Sequence, residues 1–149
     1  MRSVPDVTGD GARAIVEHVI AAAGAAGRAV SVAVVDRAGV LVALQRMTPA
    51  PGFSAELAIA KARTAAAFGR STVEMESVCE GRSAFTTGFL AQGAWYVGRG
   101  GHPLRFGGEI VGGVGVSGDA AEHEDHWAAD AALVLDQLDQ SQGHRGAQP

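Results

Sequence analysis

The chain predicts an α+β domain, an antiparallel sheet with helices packed against it, and three observations carry that expectation. Two pairs of short apolar runs are each joined by a tight turn, at residues 36–39 and at Gly107-Gly108, as antiparallel hairpins require. Helix-period segments stand before, between and after these pairs, where a doubly wound sheet would alternate single strands with helices. The stretch from Gly98 to Gly118 is dense in glycine, so its strands must accept unusual backbone angles or a close neighbour.

Taken in order, Thr8 or Asp10 caps a first helix that runs to about Gly27, with Ile15, Val16, Val19, Ile20 and Ala23 as its apolar stripe. Residues 30–36 and 40–46 read as strands around the first turn. Thr48-Pro-Ala-Pro-Gly52 breaks the pattern, and an alanine-rich helix follows from about Ser54 to Gly69. Ser71 with Glu74 matches a capping box for a short helix through Val78. Residues 81–93 read as irregular and 94–97 as a short strand before the glycine-rich hairpin. Asp119 with Glu122 starts the final helix, which places Trp127, Ala131, Val134, Leu135 and Leu138 on one face. Residues 1–140 form one domain on this reading, and the polar tail at 141–149 is expected to be disordered.

Composition narrows the function classes. At 149 residues the chain is long enough for a core of its own, and its charged fraction of 19% suits an ordinary globule. A formal charge of −4 without a basic run gives no footprint for nucleic acid or an anionic membrane. The single cysteine, Cys79, rules out an internal disulfide and speaks against a thiolate zinc site. The first ten residues lack a signal-peptide apolar core and no run is long enough to span a bilayer, so a cytoplasmic location is expected. Few aromatics and many Ala and Gly make a thin core, which leads us to expect a homo-oligomer.

Four segments in fixed order resemble the GlcG/HbpS family, also called the haem-degrading domain family. They are Val34-Val-Asp-Arg-Ala-Gly-Val-Leu-Val-Ala43, Ala60-Lys-Ala-Arg-Thr-Ala-Ala-Ala-Phe68, Gly100-Gly-His-Pro-Leu104 and Gly112-Gly-Val-Gly-Val-Ser-Gly118, the last leading to Glu124-Asp125 and Ala128. The resemblance spans about residues 12 to 138. It implies a profilin-like α/β sandwich, commonly assembled into dimers or larger oligomers. Its functional implication is broader: some members bind haem or are linked to its degradation, some are fused to corrinoid-handling proteins, and others sit in catabolic or biosynthetic clusters. Glu124 stands where the family commonly has Gln, His126 and Trp127 are unusual there, and His102 replaces a frequent apolar residue.

Lys61 is the most pointed candidate. It shares a helix face with Leu57, Thr64 and Phe68, and either snorkels to the edge of that stripe or reaches a carboxylate, an anionic ligand or a carbonyl. It also matches the family's Lys-Ala-x-Thr-Ala pattern. His102, between two glycines and Pro103, is held at a loop mouth as an acid–base group, haem ligand or metal ligand, or is a solvated loop residue. His123 and His126 have the spacing of two metal ligands, but a site would still need His102, Glu122, Asp130 or another group to converge, and no metal site is expected. Glu124 faces the side of Trp127, whereas Asp125 points elsewhere and complements the helix dipole. His18 lies at the edge of the first helix's stripe, as a boundary residue or a nitrogen donor to haem iron. Gly113 and Gly115 share a strand face that admits either a packed helix or a flat ligand.

Two function classes follow. In the first, a GlcG/HbpS-type protein binds a small ligand, haem or another tetrapyrrole first among the candidates. His102 or His18 would meet iron, Lys61 or Arg105 the propionates, and Gly113 and Gly115 the ring. In the second, an isomerase or lyase without a cofactor uses His102 and Glu124 for acid–base chemistry, with Lys61 holding an anionic or carbonyl oxygen. The absence of a Gly-x-Gly-x-x-Gly unit, a Walker motif and a Gly-x-Ser-x-Gly elbow disfavours nucleotide binding and serine hydrolysis.

Overall fold

Alternating apolar residues and tight turns place four antiparallel strands at the centre of the chain. In the computed structural model, which describes residues 5–145, they are β1 (Ser31–Asp36), β2 (Leu41–Arg46), β3 (Gly101–Phe106) and β4 (Glu109–Ser117). They form one open sheet in the order β2-β1-β4-β3. The helices are α1 (Gly9–Ala25), α2 (Ser54–Phe68), α3 (Glu74–Cys79), α4 (Ser83–Ala91) and α5 (Ala121–Arg145). The expected α+β architecture is therefore present.

Thr8 caps α1, accepting the Gly11 N–H at 3.0 Å, so of the two expected caps it is the one used. Ile15, Val16, Val19 and Ala23 then meet Val32, Val34, Val114 and Val116 of the sheet and Trp127, Ala128, Ala131 and Leu135 of α5. The opposite sheet face carries α2, against Val35. Covered on both faces, β1 reads as a continuous apolar run. The edge strand β2 stays largely exposed, with Leu41, Val42 and Leu44 open to solvent, as is Val40 just before it.

Small residues fix the α2 layer. Cβ atoms added at Gly113 and Gly115 would run into the backbone carbonyls of Ala62 and Ala58. The α2 backbone thus lies directly on this glycine face, and the flat-ligand reading of Gly113 and Gly115 gives way to helix packing. The two-residue alternation that puts Gly113 and Gly115 on one face does not extend to the start of β4. An irregularity between Leu104 and Arg105 shifts the pairing, and Val111 joins the core beside Val114 and Val116.

Further differences appear away from the sheet. Residues 81–93, expected to be irregular, contain α4, whose one buried residue is Phe89. Residues 94–97 form no strand, because the Tyr96 N–H donates to Thr64 Oγ1 at 2.9 Å instead of to a ladder. Asp119 does not act as a simple capping residue: its carboxylate takes His123 Nδ1 at 2.9 Å and Arg28 Nη1 at 3.5 Å. Helix α5 continues past the Ser141 boundary to Arg145, while 146–149 and the side chain of Leu138 lie outside the described residues. No helix among the described residues is long and apolar enough to cross a membrane.

Candidate functional site

The glycine loop before β3 brings α2, α5 and the sheet together. Thr72 holds it, its N–H and carbonyl bonding Gly101 and Gly98 and its Oγ1 accepting the Gly101 N–H at 2.9 Å. Beneath the loop Lys61, only 2% exposed, donates to Glu124 Oε2 at 2.6 Å and to the Val116 carbonyl at 2.9 Å. The Tyr96 ring covers the ammonium, 4.9 Å from its centroid. Gly100, at φ 110°, leaves the room: a Cβ there would come within 2.9 Å of Lys61 Nζ.

Lys61 therefore does not snorkel. Burial lowers its pKa and raises that of Glu124, while their shared hydrogen bond opposes both shifts. Burial likewise raises the Tyr96 pKa. Enclosed in this way, Lys61 and Glu124 hold α2 to α5 and have no lining position in the groove outside them.

His102 goes to a different acid. Its Nε2 lies 3.0 Å from Asp125 Oδ1, an oxygen that also accepts the Gly100 N–H at 3.4 Å. Asp125, expected to point elsewhere, faces β3 and orients the imidazole. With Nε2–H donated to the carboxylate, Nδ1 is the open nitrogen of His102.

This imidazole lines a groove of about 620 Å³ between α5, β3 and the end of α2. Arg70, Arg105 and His126 line it too, with Glu74 and Asp136. Arg105 is fixed by donating Nη2–H to the Gly69 carbonyl at 2.9 Å. His18 is not in the groove wall; its Nε2 pairs with Asp130, which is, at 2.9 Å. The two α5 histidines part company, for His123 pairs with Asp119 and packs on Trp127 while His126 faces the groove. Among the described residues no group of three or more His, Cys, Asp or Glu is placed to hold a metal ion.

Arg70 and His126 are groove residues that the sequence does not single out, and Asp125, which does not line the groove, is an unexpected partner of His102. One signal was available for the helix: His126, Ala129, Asp130, Leu133 and Asp136 recur at three- and four-residue spacing opposite the Trp127 face. Nothing local marked Arg70 or Asp125.

Comparison with known proteins agrees with this architecture. Residues 7–134 match the model of the family described as haem degrading protein HbpS-like. The chain is 41% identical to protein GlcG of Escherichia coli strain K12 over 107 residues, 71% of this chain and 77% of that protein. The crystal structure of Klebsiella pneumoniae protein ORFY superposes with a TM-score of 0.83 at 29% identity, covering 92% of this chain and 94% of that one. The structure of a PduOC:heme complex superposes with a TM-score of 0.80 at 27% identity, over 88% and 96% of the two chains. The chain belongs to the HbpS-like haem-degrading protein family.

Proposed function

We propose that this protein binds a small ligand in the groove between α5 and β3, with haem as the leading candidate. The observation that carries the reading is an oriented imidazole, His102 on Asp125, set in a groove that also presents Arg70, Arg105 and His126. Its size falls within the few-hundred to about 1,000 Å³ typical of small-molecule sites. His102 and His126 are the candidate nitrogen donors to iron, and Arg70 and Arg105 suit the propionates, offsetting Glu74 and Asp136. Bound haem would supply redox chemistry at iron; the protein's part is to orient an imidazole and hold the acid groups. The haem-bound relative supports this choice of ligand.

Titration with haemin, read in the Soret band, tests it. Saturable binding with a ligand-field change lost in His102→Ala or His126→Ala is expected, with His18→Ala unaffected. Unsaturable broadening, unchanged in all three variants, would set haem aside.

The 3.0 Å His102–Asp125 contact favours one second reading, acid–base catalysis on a small anionic substrate. Here Asp125 replaces Glu124 as the partner of His102, and Lys61 with Glu124 supports the loop. Deuterium exchange into small oxo acids in D2O, lost in His102→Ala, is its test. We also propose self-association through the exposed apolar residues of β2, in the cytoplasm. Sedimentation of Leu44→Glu as a smaller species than the parent would support this; identical sedimentation would count against it.

A further inference from the structure

A second pocket, of about 360 Å³, lies between the β1–β2 turn, α2 and the segment after α4, and shares no lining residue with the groove. Its charged groups are two guanidiniums. Arg63 rises from α2 half-buried, and its Nε–H donates to the Gly39 carbonyl at 3.1 Å. The turn that presents this carbonyl is itself fixed, because Asp36 Oδ1 accepts the N–H groups of Ala38 and Val40 at 2.9 Å each. Arg37 belongs to the same turn. Its backbone N–H is held by Asp6 Oδ1 at 2.8 Å and its Nη1 donates to the Ile110 carbonyl at 3.3 Å.

Each guanidinium is thus steadied by one carbonyl and keeps other donors open. Among the described residues no carboxylate lies within ion-pair distance of either. The nearest acid in sequence, Asp36, is engaged in the turn.

The remaining lining is apolar and stiff. Trp95 supplies one wall, its ring stacked 5.4 Å from Phe89 and edge-on to Phe68 at 6.1 Å. Ala67 and Ala94 are too small to fill the space, and Val40 is 58% exposed beside them. Two cationic forks beside a fixed indole and small apolar groups select a particular chemistry. A carboxylate accepts paired N–H bonds from a guanidinium, and a flat apolar body covers the indole and alanine surface.

We infer that this pocket binds a small carboxylate carrying a flat apolar body, independently of the groove. Benzoate is the probe, titrated into the full chain by calorimetry and by tryptophan fluorescence. Saturable binding with quenching is expected. Arg63→Gln and Arg37→Gln should each weaken it about tenfold, the scale of one charge-assisted hydrogen bond. Arg63→Lys, which keeps the charge and loses the fork, should also weaken it, and His102→Ala should leave it unchanged.

Absence of saturable binding overturns the inference, as does benzoate affinity equal in the parent and both Gln variants. Loss of binding in His102→Ala would place the probe in the groove and overturn it equally. Inorganic phosphate competing as strongly as benzoate would remove the apolar body from the recognition. Arg37 is exposed on a turn, so Arg37→Gln keeps the test open should Arg63→Gln fail to fold.

Discussion

Replacing Lys61 by alanine strips the partner from a carboxylate that is only 6% exposed. Glu124 then keeps its burial and loses both the 2.6 Å hydrogen bond and the opposite charge. Removing one member of a buried ion pair costs about 3–5 kcal/mol, because the other is left uncompensated. With a urea dependence of about 2 kcal/mol per molar, the unfolding midpoint should fall by roughly 2 M. The loss should also depend on pH. In the variant, desolvation raises the Glu124 pKa with Lys61 no longer opposing it, so the folded state binds that proton more tightly than the unfolded state. Stability of the variant therefore falls as pH rises above the ordinary carboxyl value of 4.5, and its deficit against the parent grows toward neutrality. Lys61→Met combined with Glu124→Leu, which removes both charges, should recover most of the loss. Equilibrium unfolding in urea across the acid-to-neutral range reads all three effects. A deficit in Lys61→Ala below about 1 kcal/mol at neutral pH, the scale of a surface pair, would refute the reasoning.

Gly115→Val should lower stability by about 3 kcal/mol or more in a thermal melt, since any Cβ there meets the Ala58 carbonyl and stands 2.7 Å from the Ala62 nitrogen; a melt unchanged from the parent would mean that α2 does not lie on this face. The His123 hydrogen bond holds the Asp119 carboxyl below its ordinary 3.8, so its stabilisation is full above that value and disappears as pH falls through the lower folded one. Asp119→Asn should lack this acid limb, and its urea midpoints should converge on the parent's at low pH; a constant gap would show that the carboxylate charge is not the cause. Asp125→Asn should weaken haemin binding about tenfold by loosening the His102 ring, a change read in the Soret titration, and unaltered affinity would remove Asp125 from a positioning role.

The hairpins, the alanine helix and the crowded face of β4 were legible because each rests on local chemistry: turn residues, period, and glycines that only a close neighbour explains. Helix α4 was not. Its short, glycine-flanked stretch buries only Phe89, and its anchoring comes from the Phe85 and Trp95 rings stacked on that side chain and the Phe68 ring edge-on to it rather than from an apolar stripe. Lys61 was visible as a polar residue on an apolar stripe, and Glu124 as an acid on the core side of its helix, but only the fold could bring residues 63 positions apart into contact. Asp125 was hidden for the same reason. One step along α5 turns it from the core to β3, and its meeting with His102 depends on the angle at which the helix crosses the strand.

Every role proposed for His102, His126, Arg70 and Arg105 depends on the ligand sitting in the groove between α5 and β3. Gallium protoporphyrin, a diamagnetic stand-in for haem, titrated into isotopically labelled protein and followed by amide chemical shifts, tests it most directly. Shifts concentrated at residues 69–71, 102–105 and 126–136 are the predicted result. Shifts concentrated at residues 37–40, 63 and 95, or along β2, with the groove amides unmoved, would contradict it.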